Sequence, residues 1–109
     1  MIRMGRVIGL KAEHIAEYKK LHAETWPEIR ATIGACNIRN YSIFLREPEN
    51  LLFAYWEYVG TDFEADMARM AGDPVMQRWW KLTSPMQEPL ETRAKGEWWS
   101  DMEHVFFNE

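Results

Sequence analysis

Cysteine is nearly missing from this sequence. Cys36 is the only one in 109 residues, which excludes an internal disulfide and any multi-cysteine zinc site. Its expected place is that of a small buried hydrophobe. Basic blocks are missing too. The net charge is −4, and a nucleic-acid-binding face needs clustered Lys and Arg, so no nucleic-acid partner is expected. No apolar run approaches the roughly 18 residues of a membrane span. In Met1-Ile2-Arg3-Met4-Gly5-Arg6 charges fall where a signal peptide needs its apolar stretch, so a cytoplasmic protein that does not enter membranes is expected. There is no H-x-x-H, no H-E-x-x-H and no carboxylate cluster to hold a metal. Internal repeats and low-complexity segments are absent as well.

What is abundant is aromatic. Hydrophobic residues at 47% and charged residues at 28% are the balance of an ordinary soluble protein, and the length fits one domain spanning 1–109. Six Trp, four Tyr and five Phe nevertheless exceed what one small core requires. The excess points to an oligomer interface or to a pocket that stacks on a flat or ring-shaped ligand.

Along the chain, Arg3 to Leu10 reads as a strand. From Lys11 the spacing turns helical, with Ile15, Tyr18 and His22 on one face. Thr25-Trp26-Pro27-Glu28 resembles a fresh capping box with proline in the first turn, so the helix is expected to break or kink at Thr25 and run to about Ala35. Asn40 to Leu45 and Leu51 to Tyr58 read as a hairpin across a polar loop. Thr61-Asp62-Phe63-Glu64 opens a helix with Phe63, Met67 and Met70 at core spacing. Asp73-Pro74 starts another turn or two through Trp79 and Trp80. Residues 84–96 read as a long loop, and Met102 to Phe107 as a last strand.

The order β-α-β-β-α-β is the split βαβ of an α+β, ferredoxin-like fold: an antiparallel sheet with helices on one face. The strand residues that point away from the helices are partly apolar, and a second copy is the simplest cover for them. A homodimer with sheets face to face, a dimeric α+β barrel, is expected.

Three histidines are available. His22 lies one turn after Tyr18 on an inward face. By spacing alone it is open between a satisfied core histidine and a general acid/base titrating near neutral pH. His14 reads as surface, and His104, among Asp101 and Glu103, is open. Trp79 and Trp80 point about 100° apart on a helix, so one can pack while the other lines a cleft; Trp98-Trp99 invites the same two readings. Sugar pockets set an aromatic ring against the apolar sugar face with polar groups at its edge, and Tyr18, Tyr41 and His22 suit that edge.

Over nearly its whole length the chain resembles the L-rhamnose mutarotase family. The matching stretches are Glu17-Tyr18 through His22, Trp26-Pro27-Glu28, Asn40-Tyr41-Ser42-Ile43, Leu51-Leu52-Phe53-Ala54, Gln77-Arg78-Trp79-Trp80 and Glu103-His104-Val105-Phe106. The resemblance implies a dimeric mutarotase without metal or cofactor, acting on a monosaccharide. It implies that His22 is the acid/base and that Tyr18, Tyr41, Trp79 and Trp80 hold the sugar. Anomers exchange through the open aldehyde, so His22 is expected to donate to the ring oxygen while a Tyr or water takes the O1 proton. The chain departs from the family's Asn-Pro-Asp-Asn-Ser-Pro-like segment: Met86 to Arg93, then Gly96-Glu97-Trp98-Trp99, stand there instead. On that difference L-fucose is expected ahead of L-rhamnose, with Glu88, Arg93, Trp98 and Trp99 contributing to the choice. Two other functions compete. One is a non-catalytic small-ligand-binding module, the other a monooxygenase of the dimeric α+β barrel type.

Overall fold

The computed structural model describes residues 1–109. Strand β1 (Ile2–Leu10) leads through a short 3₁₀ turn into helix α1 (Ile15–Ala23) and helix α2 (Pro27–Ala35). The hairpin β2 (Ile38–Arg46) and β3 (Leu51–Tyr58) follows. Helices α3 (Phe63–Ala71) and α4 (Pro74–Thr83) come next, then a 3₁₀ turn and two short strands, β4 (Gln87–Glu88) and β5 (Ser100–Met102). The sheet runs β2-β3-β1-β4, with β5 also on β1, and every pairing is antiparallel. The fold is α+β with the expected ferredoxin-like order. No helix is long and apolar enough to cross a membrane.

Alternation sorts the sheet into two faces. Leu52, Ala54, Trp56 and Tyr58 of β3 are buried and their neighbours are not. Leu52, Trp56 and Tyr58 join Ile8 and Leu10 of β1 and residues of all four helices in two packed clusters, one around Trp56, Tyr58, Ile29 and Trp79, the other around Ile8, Leu52 and Tyr18. The helices therefore cover one face. Cys36 belongs to the first cluster at 1% exposure, as expected of a small buried hydrophobe.

Strand β2 changes phase part-way. Its register slips between Arg39, opposite Glu57, and Ser42, opposite Tyr55, so Asn40 and Tyr41 together face Trp56. This is a β-bulge, and the positive φ of Asn40 (54°) supplies the left-handed residue that such a bulge uses. The extra residue inverts the facing of everything after it: Ile43 and Leu45 turn toward the core and Phe44 turns out. It also puts Tyr41 on the helix-covered face. The bulge explains why β2 begins at Ile38 rather than at Asn40, which interrupts the strand without bounding it.

The end of the chain departs from expectation. The last strand is not 102–107 but Ser100–Met102, and residues 103–109 carry no regular structure. Segment 84–96 is not all loop, because Gln87 and Glu88 pair with Leu10 and Gly9. The edge of β1 is thus shared by two short strands with 89–99 looping out between them. By the time the chain returns, only Gly5 to Val7 remain for it, so Val105 and Phe106 stay exposed. Gly9 makes the β4 contact feasible: a Cβ there would lie 2.6 Å from the Glu88 carbonyl oxygen.

Two helix starts are shifted by one residue from the expected caps. Trp26, not Thr25, occupies the N-cap of α2, because a residue before proline is driven to extended ψ and Trp26 has ψ 134°. The Thr25 hydroxyl instead donates to the His22 carbonyl at 2.8 Å, closing the end of α1. Asp62, not Thr61, caps α3 by accepting from the Ala65 N–H. Asp73 occupies the N-cap of α4 as expected, without a side-chain cap bond; its carboxylate takes the Thr32 hydroxyl and ties α4 to α2.

Candidate functional site

Between the helices and the inner sheet face lies a cavity of about 1160 Å³. Helix α1 supplies Tyr18 and His22, one turn apart; the bulge in β2 supplies Tyr41; α4 supplies Trp79 and Trp80. All five line this one cavity. Trp79 is 6% exposed and Trp80 39%, so one packs and its neighbour is open, as the 100° offset predicts.

His22 is held in one tautomer. Its Nδ1 lies 2.8 Å from the Tyr18 carbonyl, which can only accept, so Nδ1 carries the proton and Nε2 keeps a free lone pair. The imidazole stacks on the Tyr18 ring at 4.2 Å and meets the edge of Trp79 at 5.3 Å. Burial pushes its pKa below 6.5, and the bond to the Tyr18 carbonyl only partly opposes that. At neutral pH His22 is therefore an uncharged base.

Tyr18 is buried, and desolvation raises its hydroxyl to about 12, against a smaller lowering by Gln87. Its oxygen accepts from Gln87 Nε2 at 3.1 Å, while Gln87 Oε1 accepts from Trp98 Nε1 at 2.8 Å. Tyr41 lies over Trp56, ring to ring at 6.4 Å. It is 41% exposed as a whole residue, but lost solvation raises its hydroxyl's pKa, offset in part by Arg6.

Arg6, which sequence reasoning missed, also lines the cavity. Its Nε donates to Asp101 at 2.8 Å and its guanidinium lies 5.5 Å from the Trp56 ring centroid, within cation–π range. Glu97 flanks the group, its carboxyl lowered chiefly by the Ala94 N–H and to a lesser extent by Arg6. A signal for Arg6 existed: it is the one charge in the inward stripe Ile2, Met4, Arg6, Ile8, Leu10. Gln87 left no such signal, since it sits in a segment without periodicity. Of the loop residues singled out from sequence, Trp98 and Trp99 line the cavity, whereas Glu88 lines a separate depression beside Gly9 and Lys11. Arg93 lines neither and donates to the Leu90 carbonyl. His14 is half-buried outside the cavity and His104 is exposed. No three His, Cys, Asp or Glu side chains converge in a way that would hold a metal.

A stacked base, flat aromatic walls and the charged group of Arg6, Glu97 and Asp101 in the lining suit a sugar. A family model described as L-rhamnose mutarotase matches residues 3–107. The chain belongs to that family. This mutarotase is 33% identical over 106 residues to the L-rhamnose mutarotase of Lactiplantibacillus plantarum, covering 97% of each chain. It is 35% identical over 88 residues to that of Bacillus subtilis, covering 81% of this chain and 82% of the relative. With that of Opitutus terrae it is 40% identical over 81 residues, 74% and 75% of the two chains. The crystal structure of an L-rhamnose mutarotase from Formosa agariphila superposes with a TM-score of 0.78 over the full length of both chains at 23% identity, a likeness of fold. The chain is thus an isomerase of the sugar-mutarotase type. The preference for L-fucose expected from the loop gains no support from these relatives, nor do the binding-module and monooxygenase readings.

Proposed function

We propose that this mutarotase exchanges the α and β anomers of a 6-deoxy-L-hexose, with His22 as the acid/base and Tyr18, Tyr41, Trp79 and Trp80 holding the sugar. The observation that carries the reading is the His22 tautomer. A neutral imidazole that lines the cavity and whose Nε2 makes no hydrogen bond is fit to take the O1 proton as the ring opens, and to return it when the ring closes on the other face. This reverses the order expected from residue type, where His22 donated first. Aromatic walls with few directional bonds leave the open aldehyde free to turn about C1–C2.

L-rhamnose is the sugar named for the relatives and is the first substrate proposed. L-fucose is the second, supported by the entry of Trp98 and Trp99 into the cavity wall. The working unit is proposed to be a homodimer packed through the uncovered sheet face, where Phe44 is 64% exposed.

Saturation-transfer proton NMR at the anomeric signals, run separately with each sugar, tests the activity. Accelerated α–β exchange by the wild type, lost in His22→Gln, is the expected result, and the two rates rank the sugars. No acceleration with either sugar would sink the substrate assignment.

A further inference from the structure

The chain Trp98–Gln87–Tyr18 has a direction. An indole N–H can only donate, so Trp98 fixes the oxygen of the Gln87 amide toward itself at 2.8 Å and turns the NH₂ toward Tyr18 at 3.1 Å. The usual ambiguity of an amide's two ends is thereby removed. Gln87 is 94% buried, being 6% exposed, so no bulk solvent competes for these bonds. The Tyr18 oxygen is consequently an acceptor toward Gln87, and its own proton has no protein partner among the hydrogen bonds. Tyr18 lines the cavity beside the stacked His22.

We propose that Gln87, held by Trp98, is a positioning residue that presents Tyr18 as the proton donor to the ring oxygen of the bound sugar. The inference rests on the mutarotase reading above and supplies the second proton-transfer group that reading leaves open. As the C1–O5 bond breaks, its electron pair goes to O5. The O1 proton passes to His22 Nε2, C1=O1 forms, and O5 takes the Tyr18 proton. Closure on the opposite face runs the same transfers backward, so both side chains end as they began. The imidazolium and the phenolate form and vanish together, and the site carries no net charge change at any stage. On closure the phenolate takes the proton back from the open-chain O5 hydroxyl, a weak acid, and the basicity that burial lends the Tyr18 oxygen suits that return step.

The test compares Gln87→Glu and Trp98→Phe with the wild type, by NMR anomer exchange on L-rhamnose and L-fucose from pH 5 to 8. An ionised carboxylate at position 87 accepts the Tyr18 proton and withdraws it from the sugar; once protonated, the carboxyl donates to Tyr18 as the amide did. At pH 7.5 Gln87→Glu is expected to lower kcat by about tenfold or more with KM changed far less, and its rate relative to wild type is expected to recover as pH falls. Trp98→Phe, at a position 43% exposed, leaves the amide free to turn and is expected to lower kcat by about threefold or more. A deficit in Gln87→Glu that does not change with pH, or kcat near wild type in both variants, overturns the proposal. Absence of exchange in the wild type with both sugars overturns instead the mutarotase reading for these substrates, and the proposal with it.

Discussion

His22 and Tyr18 are joined twice: the imidazole Nδ1–H donates to the Tyr18 carbonyl at 2.8 Å, and the two rings stack at 4.2 Å. The first contact is a product of the helix alone, because residues four apart stand one above the other. It selects the tautomer. The second shields the ring and holds its charged form at a disadvantage.

The pH profile should show both effects. Burial lowers the His22 pKa from 6.5, and the proposed active form is the neutral one. Activity is therefore expected to stay level as pH falls through the ordinary histidine range and to decline only below it. His22→Gln should lose about 10²–10⁴-fold in exchange rate while sugar binding, measured by titration calorimetry, persists. An acid limb above 6.5 would contradict the assignment.

Trp79 and Trp80 should separate stability from binding. Trp79 packs in the core against Trp26 at 5.1 Å, so Trp79→Ala is expected to cost about 3–5 kcal/mol in denaturant unfolding. Trp80 is far more open. Trp80→Ala should leave the unfolding midpoint nearly unchanged and raise KM.

Arg6→Met keeps an unbranched apolar side chain and removes the guanidinium. The pair with Asp101 is partly exposed, at 33% and 53% of the two side chains, and partly exposed pairs add little stability. The expected outcome is an unchanged melting temperature with KM raised about tenfold, a loss of about 1.4 kcal/mol in binding. Melting and kinetics on the same preparation would check it.

A charge on the uncovered sheet face should dissociate the proposed dimer. Phe44 points away from the helices because the bulge at Asn40 and Tyr41 turned it there. Phe44→Asp is expected to give a monomer in sedimentation velocity where the wild type gives a dimer. A wild type that sediments as a monomer would overturn the dimer.

Acid should weaken the fold through Asp66. Its carboxylate accepts from the Tyr58 hydroxyl, Asn37 and Arg69, and the Tyr58 bond leads in holding its pKa below the ordinary value. A depressed carboxylate stabilises the folded state above its unfolded pKa of about 3.9, and that contribution is lost as pH falls through the folded value. Asp66→Asn should be less stable at pH 7 and show a shallower loss between about pH 4 and 2. Urea midpoints across that range are the measurement.

The local chemistry of this chain was readable in advance. Helical spacing set Tyr18 beneath His22, proline at 27 and 74 marked two helix starts, and period-two apolar runs marked the strands. Those features depend on residues within a few positions of one another, so pattern alone carries them. The loop from 84 to 99 was not readable. Its pairing with Gly9 and Leu10, and the hydrogen bonds that run from Trp98 through Gln87 to Tyr18, join residues up to 80 positions apart, for which no local periodicity exists. The bulge is intermediate: Asn40 hinted at a break, but whether it ended the strand or inverted its faces depended on the register against β3. Tyr41 reaches the cavity, and Arg6 meets Asp101, only because folding closed those distances. The residues that can do chemistry are written in the chain; their convergence on one cavity is a property of packing.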